Sequence, residues 1–588
     1  MHRVIKSHLA NFVKNFSLNS YDESEQFERF AAYSIIANRF NCDIDFDDII
    51  TSRADDGIDA IAIIIDESVI SSPEEANDIF NSHRRTHDVE IIFIQAKTSE
   101  KFDLGDFLKF KESVIRFVEI DENYTVEDEV LSCSHEIFKA IMKNVSKIRN
   151  GIPSMSTLYV TTGTYNNPRE IEQAACKFKK QVEDLGLFKE VECKFIGRDE
   201  LTSLWASTYS EIETSIVLHS YAPLPKIDGI DQAYLAVAKA EDLVKNLLTT
   251  EEGNLRTQVF EENIRAYLGS DNPVNKSIAD TIRSRTHSRF PVLNNGITIA
   301  SPSIRVQGSI LHLKNYSIVN GCQTSNVLFE NKDHLKDIFV NIKVVQTTLE
   351  EVFSDLVKAT NSQTKVENEQ FLSLRPVVKK IEEYFNTYGF DENRLYLERR
   401  DRQYVGKEIP NVRIFSLQKA VRCVAAMICG RPDLSSRYPK QMYEELGDKI
   451  LADNTKEVLF YASCMTMYRF TLLIANASIP QNMQKFKWHI LALIWVMENG
   501  NSLRLSQLSS KTAEGQANKV LNIMKKHDKK TTDLFKKAAA ICAEFGDATR
   551  DKLKTQNIFR EMVRILNETN SDHNHIVSTE TPDLRACR

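Results

Sequence analysis

The sequence predicts an α/β domain at the N-terminus, a mixed sheet flanked by helices, followed by an α+β region that passes into a largely helical C-terminal region. Three observations predict it. Up to about residue 205, short β-branched runs alternate with segments of three- and four-residue apolar spacing, the pattern of strands and helices in a sheet with central parallel pairing. Mixed strand signals with Asn-Gly turns extend to about 345, and from there to about 567 the chain is rich in Lys, Glu, Leu and Ala. At 588 residues the chain exceeds what a single hydrophobic core serves, so two or three domains are the default.

The elements follow in order. Residues 23–40 read as an amphipathic helix, because Phe27, Phe30, Ala31, Ser34 and Ile35 recur on one face and the opening is acidic. A polar stretch over 41–56 leads into 57–65, a β-branched run with turn residues on both sides, hence a buried strand. Residues 67–88 form an excursion with a short helix near 74–83, and 89–96 is the next strand. Helices are expected at 104–118 and 133–149, a strand at 156–162, a helix at 168–184 and a strand at 191–196. The proline-containing stretch 222–230 is the best linker. The expected organisation is a domain over 1–220, a linker over 221–230, an α+β region over 231–345, a mainly helical region over 346–567 and a flexible tail over 568–588.

Composition removes several classes. A net charge of -7 gives no global attraction to nucleic acid, so any polyanion must be met by local cations or by metal ions bridging carboxylates to phosphate. None of the ten cysteines forms a CxxC pair, which argues against a zinc cluster. No apolar run reaches the roughly 18 to 20 residues that span a bilayer, and the first residues lack the apolar core of a signal peptide. These features read as a cytoplasmic protein with reduced thiols and no membrane partner. No phosphate-binding GxxxxGK[ST] loop occurs; His83 and His87 lack an HExxH context, and His287, His312 and His489 stand alone.

Hydrolysis of a phosphodiester needs an oriented water, neutralised phosphoryl oxygens and a stabilised leaving oxygen. Carboxylates that hold a divalent cation beside a lysine supply these. Residues 57–97 contain such parts. In a strand, Phe93, Gln95 and Lys97 point to one face while Glu90, Ile92, Ile94 and Ala96 point to the other, so Gln95 and Lys97 converge. Asp59 stands at the mouth of the preceding strand, where a bend brings its carboxylate beside that pair, and Glu28 on the preceding helix is placed to complete the set. Taken singly, an Asp near a strand start is a turn residue and a Lys after a strand ends it in solvent.

Together, Phe27-Glu28, Asp56-Gly57-Ile58-Asp59 and Ile94-Gln95-Ala96-Lys97 resemble the restriction-endonuclease-like PD-(D/E)XK superfamily of Mrr type, whose members have QxK in place of (D/E)xK. The later runs Tyr159-Val160-Thr161-Thr162-Gly163 and Phe195-Ile196-Gly197-Arg198-Asp199-Glu200-Leu201 keep that family's order, so the resemblance covers about 21–205. It implies Asp59 as a metal ligand, Gln95 as a ligand or water-orienting amide, Lys97 as the phosphate-facing cation and Glu28 as an accessory acid, with Mg²⁺ or Mn²⁺ as cofactor.

A second series, 290–298 (FPVLNNGIT), 318–324 (IVNGCQT), 359–363 (ATNSQ) and 396–400 (YLERR), is similar to the AIPR family, named for abortive infection and phage resistance, over about 230–540. Members more often carry Gln where this chain has Cys322. Asn295-Gly296 and Asn320-Gly321 are also ordinary turn formers. Alternatively, Asn294, Asn295, Asn320, Gln323, Thr324, Asn361 and Gln363, with Arg399 and Arg400, build a polar pocket for a nucleotide, base edge or phosphate. Basic groups at Arg283, Arg285, His287 and Arg289, at Arg394, Arg399, Arg400 and Arg402, and at Lys525, Lys526, Lys529 and Lys530 are candidate contacts. The middle group, interleaved with Tyr396 and Tyr404, suits phosphate pairing and stacking best.

The two resemblances imply a metal-dependent endonuclease acting on DNA in bacterial anti-phage defence, with the C-terminal region binding or sensing nucleic acid or a trigger. An inactive nucleic-acid binder with Gln95 as the mark of lost activity, and a ribonuclease, are the rival expectations. Self-association and a partner defence protein are left open.

Overall fold

A computed structural model of the chain describes residues 1–40, 44–51, 57–66, 68–81, 86–119, 127–250, 253, 255–260, 272–361, 375–389, 391–399, 403–436 and 442–578. The N-terminal elements are α1 (Arg3–Phe16), α2 (Glu23–Arg39), α3 (Phe46–Ile49), β1 (Ala60–Ile65), β2 (Ser68–Val69), α4 (Pro73–Phe80), β3 (Val89–Lys97), α5 (Leu104–Val118), α6 (Glu129–Lys143), β4 (Ser154–Thr161), α7 (Arg169–Asp184), β5 (Glu190–Ile196) and α8 (Arg198–Tyr209). Helix α2 starts where the sequence places it because Asp22 accepts from the Ser24 and Glu25 amides while Glu25 reaches back to the Asp22 amide, a reciprocal cap.

The strands form one sheet in the order β2-β1-β3-β4-β5. β3, β4 and β5 run parallel, and β1 runs antiparallel to β3 and β2. Every residue of β1 is buried, as a strand covered on both faces requires. Alternation sends Ile61, Ile63, Ile65, Ile91 and Phe93 into a core with α5, α6 and α7. Ala60, Ala62, Ile64, Ile92, Ile94 and Ala96 enter a second core with α1, α2 and α8. Helix α6 begins at the Asp128 cap, which accepts from the Leu131 amide at 2.8 Å, and yields to 3-10 turns after Lys143. It therefore lies upstream of the helix expected at 133–149.

The second region comprises β6 (Glu213–Pro223), β7 (Gln232–Lys239), α9 (Ala240–Leu243), α10 (Pro273–Arg283), α11 (Phe290–Leu293), β8 (Ile297–Ser301), β9 (Ser303–Gln307), β10 (Ile310–Lys314), β11 (Ser317–Asn320), α12 (Cys322–Glu330) and β12 (Phe339–Gln346). Its strands form a seven-stranded sheet ordered β11-β8-β12-β7-β6-β10-β9, in which, among the described residues, only β8 and β12 pair in parallel. Sheet membership changes between Tyr209 and Glu213, ahead of the expected linker at 221–230. Of the two prolines in the stretch read as a linker, Pro223 closes β6 opposite Tyr234, at a strand end where a missing N–H is tolerated.

Beyond Glu350 the described residues are mainly helical, with one short parallel pair, Tyr396–Glu398 beside Ile414–Ser416. The helix Glu457–Ala475 is long and apolar enough to cross a membrane by length and composition, but 83% of its most apolar window is buried in this core. The last helix, Gln556–Ser578, continues past 568, the expected start of a flexible tail. Met562 and Leu566 anchor it in the core, and each further residue adds a backbone bond to a helix already nucleated. Residues 579–588 lie outside the described residues.

Candidate active site

Asp59 lies one residue before β1, with its amide donating to the Ile94 carbonyl at 2.9 Å. That pairing extends the β1–β3 ladder and turns the Asp59 side chain toward the end of β3. Its Oδ2 accepts from the Ala96 amide at 2.8 Å and from Lys97 Nζ at 3.4 Å. Gln95, two residues before Lys97 on the same face of β3, is 2% exposed, and its Oε1 has no hydrogen-bond partner among the described residues. Glu28, at the exposed end of the α2 face, accepts from Ser24 Oγ at 3.4 Å. The structure thus joins Asp59 and Lys97 directly and places Glu28 where their charges act on it, while Gln95 lies on the Lys97 face of β3.

The electrostatics follow from the burial of Asp59 and Glu28 near Lys97 and Arg29. Burial, then the Asp59 charge, push the Glu28 carboxyl from 4.5 up to about 7, with Arg29 and Lys97 pulling the other way. Burial also raises Asp59, against the opposing pull of Lys97 and the Ala96 amide. Despite Lys97 and Arg29 both carboxyls stay raised in this low-dielectric corner, which is the condition that recruits a further cation. Among the described residues no group of three or more His, Cys, Asp and Glu is arranged to hold a metal ion. The oxygen donors the chain offers here are the Asp59 and Glu28 carboxylates and, on the Lys97 face of β3, the unpartnered amide oxygen of Gln95.

Sequence reasoning missed two features of this corner. Tyr159 is in register with Gln95 on β4, and its hydroxyl accepts from the Asp103 amide at 3.3 Å; burial holds the phenol well above its usual range. Its signal was the strand period, which places it on the Gln95 face. The ends of β3, β4 and β5 are also woven tightly together. A Cβ on Gly163 would stand 1.8 Å from the Glu100 carbonyl oxygen, so only glycine fits there. Beside it, Thr162 Oγ1 accepts from the His2 amide at 3.2 Å, and Arg198 Nη1 lies 2.9 Å from His2 Nε2.

The second predicted set is only partly assembled. Asn294 and Thr324 meet through their side chains at 3.2 Å, and Asn294 Oδ1 also accepts from the Gly296 amide at 2.8 Å. Gln323 Oε1 accepts from Asn275 Nδ2 at 2.8 Å. Asn295 is exposed and Asn320 ends β11. Gly296 and Gly321 have φ of +79° and +98° and pack against each other, so the Asn-Gly pairs do shape stacked turns. The Asn361 side chain, Gln363, Arg400 and Arg402 lie outside the described residues.

Arg399 corrects the expectation of a phosphate contact. It is 4% exposed and its Nε donates to Glu382 Oε2 at 2.8 Å, while Gln403 bonds both Glu382 and the Arg399 amide. A guanidinium buried against its own carboxylate is not presented to a polyanion. Tyr404, expected to stack on bases, is 7% exposed and donates to the Leu397 carbonyl at 3.2 Å. Both side chains face inward because the short β strand Tyr396–Glu398 leads them under the helix Pro376–Thr387.

Compared with known families, residues 260–577 match the family described as AIPR protein, more than half of the chain. The chain belongs to the AIPR protein family. Neither curated proteins nor solved structures give a match. The family interval contains the Asn294, Gln323 and Thr324 amide cluster, and begins after β7 of the seven-stranded sheet. The Asp59 site lies outside it, so what that site does is argued from its own geometry.

Proposed function

We propose that this AIPR family member is a metal-dependent nuclease of the restriction-endonuclease-like, Mrr type, cleaving DNA phosphodiesters in anti-phage defence. The observation that carries the reading is the Asp59 carboxylate seated on the Ala96 amide and Lys97 ammonium, with the buried, unpartnered Gln95 oxygen on the Lys97 face of the same strand. Family membership supports the defence role.

Asp59 and Gln95, with Glu28 completing the set, would hold Mg²⁺ or Mn²⁺, which when bound would supply charge neutralisation for the phosphoryl oxygens and lower the pKa of water. The remaining work falls to the chain. The Ala96 amide fixes the Asp59 carboxylate, so its orientation costs nothing at the moment of reaction. Lys97, with its side chain 33% exposed, reaches the substrate and offsets charge on the phosphoryl group. Glu28, whose carboxyl feels the Asp59 and Lys97 charges, serves as the accessory acid of the set.

A divalent-dependent cleavage assay on plasmid, single-stranded DNA and RNA tests this reading. Asp59→Ala and Lys97→Ala should each lower cleavage by about 100-fold or more while leaving the fold intact by circular dichroism. Cleavage by both variants at the wild-type rate would remove the site. One observation favours a second reading: with Gln95 where a carboxylate is usual, the donor set carries less charge. A wild-type protein that retards DNA in a gel yet cuts none of these substrates would establish a binding role instead.

A further inference from the structure

Two aspartates of the N-terminal domain close on one lysine of the C-terminal helical region. Lys487 Nζ bonds Asp45 Oδ2 and, at 3.3 Å, Asp47 Oδ2. Its side chain is 13% exposed. Burial alone would lower the Lys487 ammonium, but Asp45, Asp47 and Asp48 outweigh it and hold it above its usual range. Burial likewise opposes Asp45, and Lys487, Arg422 and Lys419 hold it well below the usual carboxylate range. Lys487 opens the helix Lys487–Asn499 and draws both aspartates to that end, where the helix's own partial positive charge adds to the attraction.

Asp45 caps the four-residue helix α3, accepting from the Asp47 amide at 3.3 Å. The chain leaving α3 runs straight to the candidate site. The Ile50 amide donates to the Phe46 carbonyl, Ile50 bridges Ala60, and the Thr51 amide donates to the Asp59 carbonyl at 3.2 Å. Thr51 Oγ1 also donates to the Ile58 carbonyl at 2.6 Å. Asp59 is therefore held from two sides, by β3 through Ile94 and Ala96 and by the α3 exit through Thr51.

We infer that Lys487 is a positioning residue for Asp59: by clamping Asp45 and Asp47, the C-terminal helical region fixes the α3 exit and thereby the carboxylate of the N-terminal site. The inference rests on the nuclease reading only in taking Asp59 as the group whose placement matters. A buried ion pair is in general weak evidence of net stability. Here its place in the chain gives it a consequence, because the segment it anchors leads to Thr51, whose amide donates to the Asp59 carbonyl.

Hydrogen exchange in the full chain, resolved at the Thr51 and Ala96 amides, tests it. The Ala96 amide reports the Asp59 side chain, because Oδ2 is its acceptor. In Lys487→Met both amides should exchange about 10-fold faster or more, with Leu158 in β4 unchanged as the control for global opening. Lys487→Arg, which keeps the charge, should stay within about threefold of wild type. If Leu158 also speeds up in Lys487→Met, the pair Asp45→Asn and Asp47→Asn removes the charges from the other side and reads the same two amides. Wild-type exchange at Thr51 and Ala96 in the variants lacking the pair overturns the inference, as does loss of protection in Lys487→Arg. Cleavage measured alongside separates the two readings. Faster exchange in a protein that never cuts, wild type included, keeps the coupling and ends the nuclease proposal; cleavage lost in Asp59→Ala with exchange indifferent to Lys487 does the reverse.

Discussion

Replacing Glu28 by glutamine probes the central claim that two acids share a corner with too little positive charge. In the metal-free chain the Glu28 carboxyl titrates at about 7 against an ordinary 4.5. The folded state therefore holds a proton that the unfolded chain releases, so this group's contribution to stability is fully present below 4.5. It is lost as pH rises through about 7. At about 1.4 kcal/mol per tenfold the full difference is roughly 3 kcal/mol, and partial contact with solvent reduces it to ~2 kcal/mol. The neutral amide of Glu28→Gln has no charge to desolvate and none to repel Asp59. In EDTA at about pH 8 the variant should be more stable than wild type, by roughly 4–8 °C in the melting of a domain this size. At about pH 4.5 the two should melt together. Saturating Mg²⁺ should reverse the order, because an ion held by Glu28 gains from its charge and displaces its proton. A variant no more stable than wild type at the higher pH in EDTA, or shifted equally at both, would rule out a charge-starved corner.

Three further substitutions test other contacts. His489 is fully buried with both ring nitrogens unpartnered among the described residues; burial pushes it down to about 4, the Asp433 charge opposes, and the Leu553 backbone pulls the same way as Asp433 without reaching hydrogen-bond geometry. Its neutral form thus favours folding above 6.5, and ~3 kcal/mol is lost as pH falls toward about 4. His489→Leu should melt with a shallower pH dependence over that window, and an unchanged slope would count against a buried neutral imidazole. Arg399→Leu leaves Glu382 charged in the core and should cost ~3–5 kcal/mol. The double variant with Glu382→Leu should recover most of it with nucleic-acid binding unchanged, whereas weaker binding by a stable double variant would restore Arg399 as a contact. Gly163→Ala must push the Glu100 carbonyl aside, so it should lower the melting temperature by the equivalent of ~3 kcal/mol; full stability would mean that the strand ends part freely.

Much of the first domain was legible because its signals are local. The two-residue period puts Gln95 and Lys97 on one face whatever surrounds them, and the run 60–65 is apolar at every position because both faces are covered. What escaped depends on partners far along the chain. Nothing near Arg399 marks Glu382 as the carboxylate that buries it, and a basic residue between tyrosines reads the same whether it points in or out. Lys487 and Asp45 are separated by 442 positions, so no window contains both. The strand 213–223 carries exposed residues on most of its length and a terminal proline, and only its pairing with β7 and β10 reveals which sheet it joins.

The same long-range pairing bears on how an acidic protein meets a polyanion. Asp45, Asp47, Asp48 and Glu75 all belong to the N-terminal domain, and left facing solvent they would add negative charge to the domain that carries Asp59. Three of them instead act on Lys487, while burial raises the Glu75 carboxyl to about 7, with the Ser71 bonds opposing, so much of its charge is removed near neutral pH. Docking the C-terminal helices therefore does two things at once: it fixes the segment that holds Asp59 and it neutralises the acids nearest that segment. A net charge of -7 consequently says little about the field at the site, where Lys97 and Arg198 remain partly exposed. It also means that Asp45→Asn and Lys487→Met, although both break the pair, should shift the salt dependence of nucleic-acid binding in opposite directions. The first removes a negative charge near the site and steepens the fall of affinity with salt; the second uncovers two, and flattens it.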